Sequence, residues 1–303
     1  GVSWNVLLKN VEDPFWNQLG MNFSVQCDMK EHPYIGSIEH KEHLYFNLNT
    51  LVHVSQAMAY THHQDVIHRD LKPENIMIGP YGEVHILDWG VAIDLNIVSQ
   101  PYSPSVPQKV STIENVLIGT PSYMPPEMAL KEIDQQGPWT DVFQLGAMLY
   151  QIWTGDLLYA WDPQKREEIF KDIERARIPT LPESMPIEVS SLLLDALHAD
   201  PKQRIADAQD FADRLSQLIQ TFESRDMEYR GRQVLAQTQA LMASSLHSRD
   251  AVTYNDEVDQ RLDETRYFFW SATQLWPENE SAQQGLDEVL QLWIPILVAR
   301  NEL

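Results

Sequence analysis

Cysteine is nearly absent. Cys27 stands alone among 303 residues, so neither a disulfide framework nor a cysteine-based zinc site can be built. A reducing, cytoplasmic home is the expectation. Basic residues are also scarce, 22 Lys and Arg against 44 Asp and Glu, for a formal net charge of -22. Such a surface repels nucleic acid and anionic lipid, which removes both as expected partners and leaves cationic protein surfaces or basic peptides. Long apolar runs are missing too. The best candidate, residues 292–298, is broken by Pro295 and falls far short of the ~18 residues that a membrane span needs. No signal peptide is expected. The chain opens on Gly1, not Met, and stops at Leu303 after an apolar stretch, so both ends are expected to be cuts in a longer protein. What remains is ordinary globular material, 43% hydrophobic, with room for one large domain and a smaller one.

Periodicity divides the chain. Ser3 is placed to cap a helix beginning at Trp4. Residues 10–50 read as irregular, with Pro14, Gly20, Pro33 and Gly36 among them. Within that stretch His32, His40 and His43 lie among Glu31, Glu39 and Glu42, a spacing that matches no ligand pattern and predicts a solvated loop. Residues 51–64 are helical in period, with Leu51, Val54 and Met58 as the stripe. His62 and His63 end that helix, where a cationic side chain suits the dipole, and carry no catalytic role. Two β-rich runs, 75–78 and 83–87, flank Gly79-Pro80-Tyr81-Gly82 and predict a hairpin. Residues 91–118 lack periodicity and predict a long loop. Residues 139–153 are almost wholly apolar after Asp141, the mark of a helix buried on all sides. About three more helices are expected over 164–219, between Pro179, Pro182, Pro186 and Pro201. Beyond about residue 220 the chain turns polar and amphipathic, with helices near 227–247, 255–275 and 281–300. The fold class is therefore mainly α with one small β-hairpin.

Chemistry concentrates in His68-Arg69-Asp70-Leu71-Lys72-Pro73-Glu74-Asn75. Phosphoryl transfer asks a protein for a carboxylate facing the attacking hydroxyl, cations on phosphate oxygens, and oxygen ligands for a metal. Asp70 can supply the first, Lys72 the second and Asn75 a metal oxygen. Asp88-Trp89-Gly90, just past the hairpin's second strand, adds another acidic ligand. Hard oxygen donors of this kind suit magnesium, which keeps waters and shares substrate phosphates.

These residues carry a resemblance. His68 to Asn75 resembles the catalytic loop of eukaryotic-type (Hanks-type) protein kinases, and Asp88-Trp89-Gly90 their magnesium-binding motif with Trp in place of the usual Phe. The Leu71-Lys72-Pro73-Glu74 interior is the serine/threonine form. Residues 119–127, Gly-Thr-Pro-Ser-Tyr-Met-Pro-Pro-Glu, resemble the peptide-positioning segment, with Pro126 where the family usually has Ala. The resemblance covers about residues 50–215. It implies catalytic roles for Asp70, Lys72, Asn75, Asp88 and Thr120, with Thr120 hydrogen-bonded to Asp70 and Lys72. It implies ATP and Mg2+ as cofactors, held by Lys72, Asn75 and Asp88, with Asn75 and Asp88 on the metal and Met77 as an apolar floor beneath adenine. It implies a buried pair between Glu127 and Arg204, and a helix, marked by Asp141 and Gly146, that anchors the catalytic loop. Arg69 would read a phosphate on the activation loop, where Ser99, Ser103, Ser105, Ser111 and Thr112 are available, or brace that loop through backbone contacts. Trp89 is expected to pack only.

Absences qualify the match. Before His68 there is no Gly-x-Gly-x-x-Gly and no Val-Ala-x-Lys string. The expected architecture is thus a kinase C-terminal lobe over 1–220, the small lobe absent, and a helical tail over 221–303. Leu275-Trp276-Pro277-Glu278-Asn279 in that tail resembles the end of a tetratricopeptide-type repeat, which suits a protein partner. The function implied is a bacterial-style serine/threonine protein kinase acting on protein Ser and Thr hydroxyls, in signalling, with this chain by itself expected to be inactive. Three alternatives stand beside it: a pseudokinase or scaffold with a helical interaction tail, a small-molecule phosphotransferase, and a purely helical adaptor.

Overall fold

The structure, a computed structural model, describes residues 1–10, 13–19, 21, 41–98, 118–245 and 251–299. The chain divides into two compact units, Gly1–Ser216 and Gln217–Leu303. Helix dominates both, with a few short strands in the first.

The first unit opens on β1 (Val2–Ser3) and α1 (Trp4–Lys9), followed by the single-turn α2 (Phe15–Gln18). Ser3 precedes α1, but its hydroxyl caps nothing. It donates instead to the Pro73 carbonyl at 3.3 Å. The next helix, α3 (Lys41–His62), starts about three turns before the point its apolar stripe predicts. Its buried face runs Leu44, Asn47, Leu48, Leu51, Val54, Met58 and His62, so a polar residue occupies a core position. Asn47 belongs there because its amide oxygen accepts the Trp4 indole N–H at 2.7 Å. His43, expected in a solvated loop, lies on α3 instead. Its ring meets the Leu7 carbonyl at 2.9 Å and packs edge-on against Trp16. His32 and His40 lie outside the described residues.

Strand β2 (Val66–Ile67) leads into the catalytic-loop motif, which ends in a 3-10 turn at Pro73–Asn75. Strands β3 (Ile76–Ile78) and β4 (Val84–Ile86) form the expected hairpin, with Ile76 opposite Ile86 and Ile78 opposite Val84. Val2 and Ser3 add a third antiparallel strand on the other edge of β3, opposite Ile78 and Met77. Residues 91–98 are not loop throughout, as the sequence suggests. Strand β5 (Ile93–Asp94) pairs with β2, and α4 (Leu95–Val98) follows as one turn. A two-residue pairing carries too little periodicity to read from a sequence. Residues 99–117, with the five candidate phosphate acceptors, lie outside the described residues.

After Pro121–Tyr123, another 3-10 turn, come α5 (Pro126–Ala129) and α6 (Pro138–Thr154). Every residue of α6 from Thr140 to Gln151 is buried. It packs on α3, on β2 and on a later helix, which is why it tolerates no polar face. Gly155 ends it in the left-handed conformation, φ 78, where glycine meets no steric penalty. Helices α7 (Arg166–Glu174), α8 (Ile187–Ala196) and the first turns of α9 (Ala208–Ser245) complete the unit. Gly146 lets α6 approach α8 closely: a Cβ there would stand 2.8 Å from the Ala196 Cβ.

The second unit consists of the rest of α9 with α10 (Ala251–Leu275) and α11 (Glu280–Ala299). Its core is Leu235, Val258, Leu262, Phe269, Ala272, Ala282 and Val289. Phe269 lies so near α11 that a Cβ on Gly285 would fall 2.4 Å from its ring. Asn279 begins α11 by accepting the Ala282 N–H at 3.0 Å, and its amide donates to Ser224. Among the described residues no helix is long and apolar enough to cross a membrane.

Candidate active site

Two helices and a hairpin hold the loop from His68 to Asn75. Arg69 adopts φ 70, a left-handed conformation that costs a non-glycine residue about 1–3 kcal/mol and survives only where its surroundings fix it. Helix α6 does the fixing. The Asp141 carboxylate accepts the His68 N–H and the Arg69 N–H, each at 2.8 Å, and the His62 ring Nε2 at 2.9 Å. His62 therefore does more than end α3: it is buried and braces the carboxylate that anchors the loop. Gln144 meets the same loop, donating to the Arg69 carbonyl at 2.7 Å and accepting the Leu71 N–H at 2.8 Å. No local pattern could have flagged His62 or Gln144, because their partners lie far away in the chain.

His68 is fully buried and its two nitrogens have distinct tasks. Nδ1 accepts the Asp70 N–H at 3.2 Å, so the ring proton sits on Nε2, which donates to the Leu87 carbonyl at 3.0 Å. The ring also meets Trp89 edge-on at 4.6 Å, while the Trp89 indole N–H donates to the Ile86 carbonyl at 3.1 Å. The loop is thus joined to the end of the hairpin from which Asp88 projects.

Above this frame Asp70, Lys72 and Thr120 close a triangle. Lys72 Nζ lies 2.8 Å from Asp70 Oδ2 and 2.6 Å from Thr120 Oγ1, and the Thr120 hydroxyl donates to Asp70 Oδ1 at 2.7 Å. The two contacts implied for Thr120 are therefore present. Asn75 Nδ2 donates to the Asp70 carbonyl at 2.8 Å and to its carboxylate at 3.2 Å. Asp88 is exposed, at φ 60, without a side-chain partner among the described residues. The Asn75 amide oxygen and the Asp88 carboxylate are hard oxygen donors, a set whose chemistry fits magnesium. Among the described residues no group of three or more His, Cys, Asp or Glu is placed to hold a metal ion. Met77 is half-buried on β3, opposite Ser3 and His85.

Gly119 brings the next segment over the loop. It has φ 93, and a Cβ there would fall 3.2 Å from the Arg69 carbonyl oxygen and 2.9 Å from the Met128 methyl. Glu127, at the start of α5, is held by Arg204 through two contacts of 2.9 and 3.2 Å, both side chains being buried. Among the described residues Arg69 makes no such pair. Its Nε donates to the Val91 carbonyl at 2.6 Å and Nη1 to the Gln136 side chain at 3.3 Å, so its contacts brace the segment after Asp88. Burial pushes its pKa down to about 10, opposed by the negative charge of Asp141.

A loop clamped by a buried helix, with a carboxylate, an ammonium and amide and carboxylate oxygens, offers the groups that phosphoryl transfer requires. The protein kinase domain description matches residues 37–217, and the chain belongs to the protein kinase family. It is similar to the serine/threonine-protein kinase PknD of Protochlamydia amoebophila, 32% identical over 216 residues, which cover 64% of this chain and 22% of that protein. The proteins of that name from Chlamydia felis and Chlamydia trachomatis serovar D are 31% identical over 174 residues and 30% over 189. Those matches cover 55% and 58% of this chain, and 18% and 19% of the relatives. The chain therefore spans about a fifth of the length of these curated relatives.

Proposed function

We propose that the protein is a serine/threonine protein kinase that transfers the γ-phosphoryl group of ATP to Ser and Thr hydroxyls of other proteins. The observation that carries this is the Asp70–Lys72–Thr120 triangle with Asn75 at its side. Asp70 is the base: its carboxylate, fixed by three donors, accepts the proton of the attacking hydroxyl. Lys72 already offers its charge to Asp70 and stands ready for a phosphate oxygen. Thr120 links the base to the segment that positions the peptide. Asn75 and Asp88 would hold Mg2+, which neutralises phosphate charge when bound, and Met77 would lie under adenine. Transfer of this kind depends on positioning and charge, and this chain supplies both through charged side chains on a loop whose backbone α6 holds.

The kinase unit is read as residues 1–220 and the remainder, 221–303, as an interaction region for a protein partner. A tetratricopeptide-like character for that region is supported by the α10–α11 hairpin and the residues 275–279 that join its helices. The acidic composition favours basic peptides as substrates.

Asp70→Asn tests the central claim. In the full-length protein, kcat should fall by about 10²-fold or more while ATP affinity is kept, because a positioned base is lost and the nucleotide's ligands are not. Near-normal turnover would remove Asp70 from the mechanism and leave the scaffold alternative in its place.

A further inference from the structure

The direction in which the Asp70 carboxylate points is set by the two peptide planes on either side of it. The first holds the Arg69 carbonyl and the Asp70 N–H, the second the Asp70 carbonyl and the Leu71 N–H. All four groups are hydrogen-bonded to side chains. His68 Nδ1 takes the Asp70 N–H at 3.2 Å and Asn75 Nδ2 donates to the Asp70 carbonyl at 2.8 Å. The other two both belong to Gln144, which donates to the Arg69 carbonyl at 2.7 Å and accepts from Leu71 at 2.8 Å. Among the described residues Gln144 alone grips both planes. We infer that Gln144 is a positioning residue for phosphoryl transfer, holding the peptide planes around Asp70 so that its carboxylate faces the substrate hydroxyl.

The chemistry fits the task. A carboxamide carries donor and acceptor on one rigid plane, so it can answer a carbonyl and an N–H together; a carboxylate or a hydroxyl cannot do so with fixed polarity. Gln144 is fully buried on α6, the most enclosed helix of the unit, so neither water nor a rotamer change offers an easy substitute. Need for such a clamp arises from Arg69. With φ 70 it turns the chain sharply just before Asp70, and the resulting peptide orientation is held from outside. Asp141 secures the N-terminal side of that turn through the His68 and Arg69 N–H groups. Gln144 secures the side that bears the base. Small errors here are expensive, since a displacement near 1 Å in a reacting group can cost on the order of 100-fold in rate.

This inference rests on Asp70 being the base, and its test separates the two claims. Gln144→Met in the full-length protein keeps length and apolar volume while removing both hydrogen bonds. kcat should fall by about 10- to 100-fold, with KM for ATP within about twofold of wild type, since Gln144 touches none of the nucleotide's candidate ligands. Gln144→Glu keeps an acceptor for Leu71 but loses the donor to Arg69, so it should not restore the rate. A normal kcat in the Met variant, or parallel loss of kcat and ATP affinity, would overturn the inference. If Asp70→Asn is also active, the proposed function fails instead. A second measurement needs no variant to fold. In the unmutated 303-residue chain, residue-resolved amide hydrogen exchange should find Leu71 as protected as Arg69. Free exchange at Leu71 beside a protected Arg69 would show that Gln144 does not hold it, whatever the kinetics.

Discussion

Replacing Arg204 by Met removes a charge from a place where almost every atom depends on it. Its guanidinium donates to both Glu127 oxygens, to the Trp139 carbonyl at 2.8 Å and, through Nε, to the His198 carbonyl at 3.1 Å. It also lies over the Phe143 ring, 5.0 Å from the centroid. Methionine fills the volume and answers none of these acceptors. Glu127 would keep only the Thr140 hydroxyl, at 3.0 Å, as a buried carboxylate without a cation. Breaking a buried pair from one side costs about 3–5 kcal/mol. At about 2–4 °C per kcal/mol for a unit of this size, Tm should drop by roughly 6–20 °C. Glu127→Gln should be milder, because Arg204 retains two carbonyls and an aromatic face. The Glu127→Leu, Arg204→Met double variant should lose less than the sum of its singles, since no charge is then stranded. Urea and thermal unfolding of the 303-residue chain, followed by tryptophan fluorescence, supply all four corners of the cycle. An Arg204→Met chain within about 1 kcal/mol of wild type, or strict additivity in the double variant, would refute the reasoning.

Two further outcomes concern packing and pH. Gly146→Ala gains up to about 1 kcal/mol in helix propensity. The added methyl would stand 2.8 Å from the Ala196 Cβ and 3.1 Å from a Leu197 methyl, however, and overpacking costs about 1–3 kcal/mol, so the urea midpoint should fall. High pH should destabilise the first unit. Burial, aided by the charge of Glu74 for Tyr123 and of Asp172 for Tyr159, raises both phenols well above their ordinary range. Unfolded tyrosine ionises near 10, so their stabilising effect is full below that value and fades as pH rises past it. Each phenol contributes a loss of up to about 1.4 kcal/mol per pH unit above pH 10. Tyr123→Phe should roughly halve the dependence of urea-unfolding free energy on pH between 10 and 11.5, and an unchanged slope would contradict the assignment.

Much of this arrangement is legible in the sequence, but unevenly. The hairpin, the all-round burial of α6 and the helices of the second unit follow from periodicity and from turn residues such as Gly79-Pro80-Tyr81-Gly82. The beginning of α3 does not, because Asn47 sits on its core face as the partner of a tryptophan that the pattern cannot see. The members of the site are visible as a resemblance of motifs, whereas their mutual contacts are tertiary facts. Thr120 and Asp70 are separated by 50 residues, and His62 and Asp141 by 79, so no local pattern joins them. Gln144 is hardest of all to notice, being one polar letter in an apolar helix until its two partners are seen.

The hold of α6 on the loop also has a consequence for synthesis on the ribosome. Asp141 lies 73 residues after His68, and Gln144 75 residues after Arg69. Translation at about 5–20 residues per second separates the appearance of the motif from that of its clamp by roughly 4–15 s. During that interval His68 to Asn75 has emerged without the acceptors that favour the left-handed turn at Arg69, because α6, which carries them, has yet to be made. The site is therefore created by a late docking event, not carried forward from the loop. A polypeptide released before Asp141 would contain the whole motif and none of the bonds by which α6 holds it.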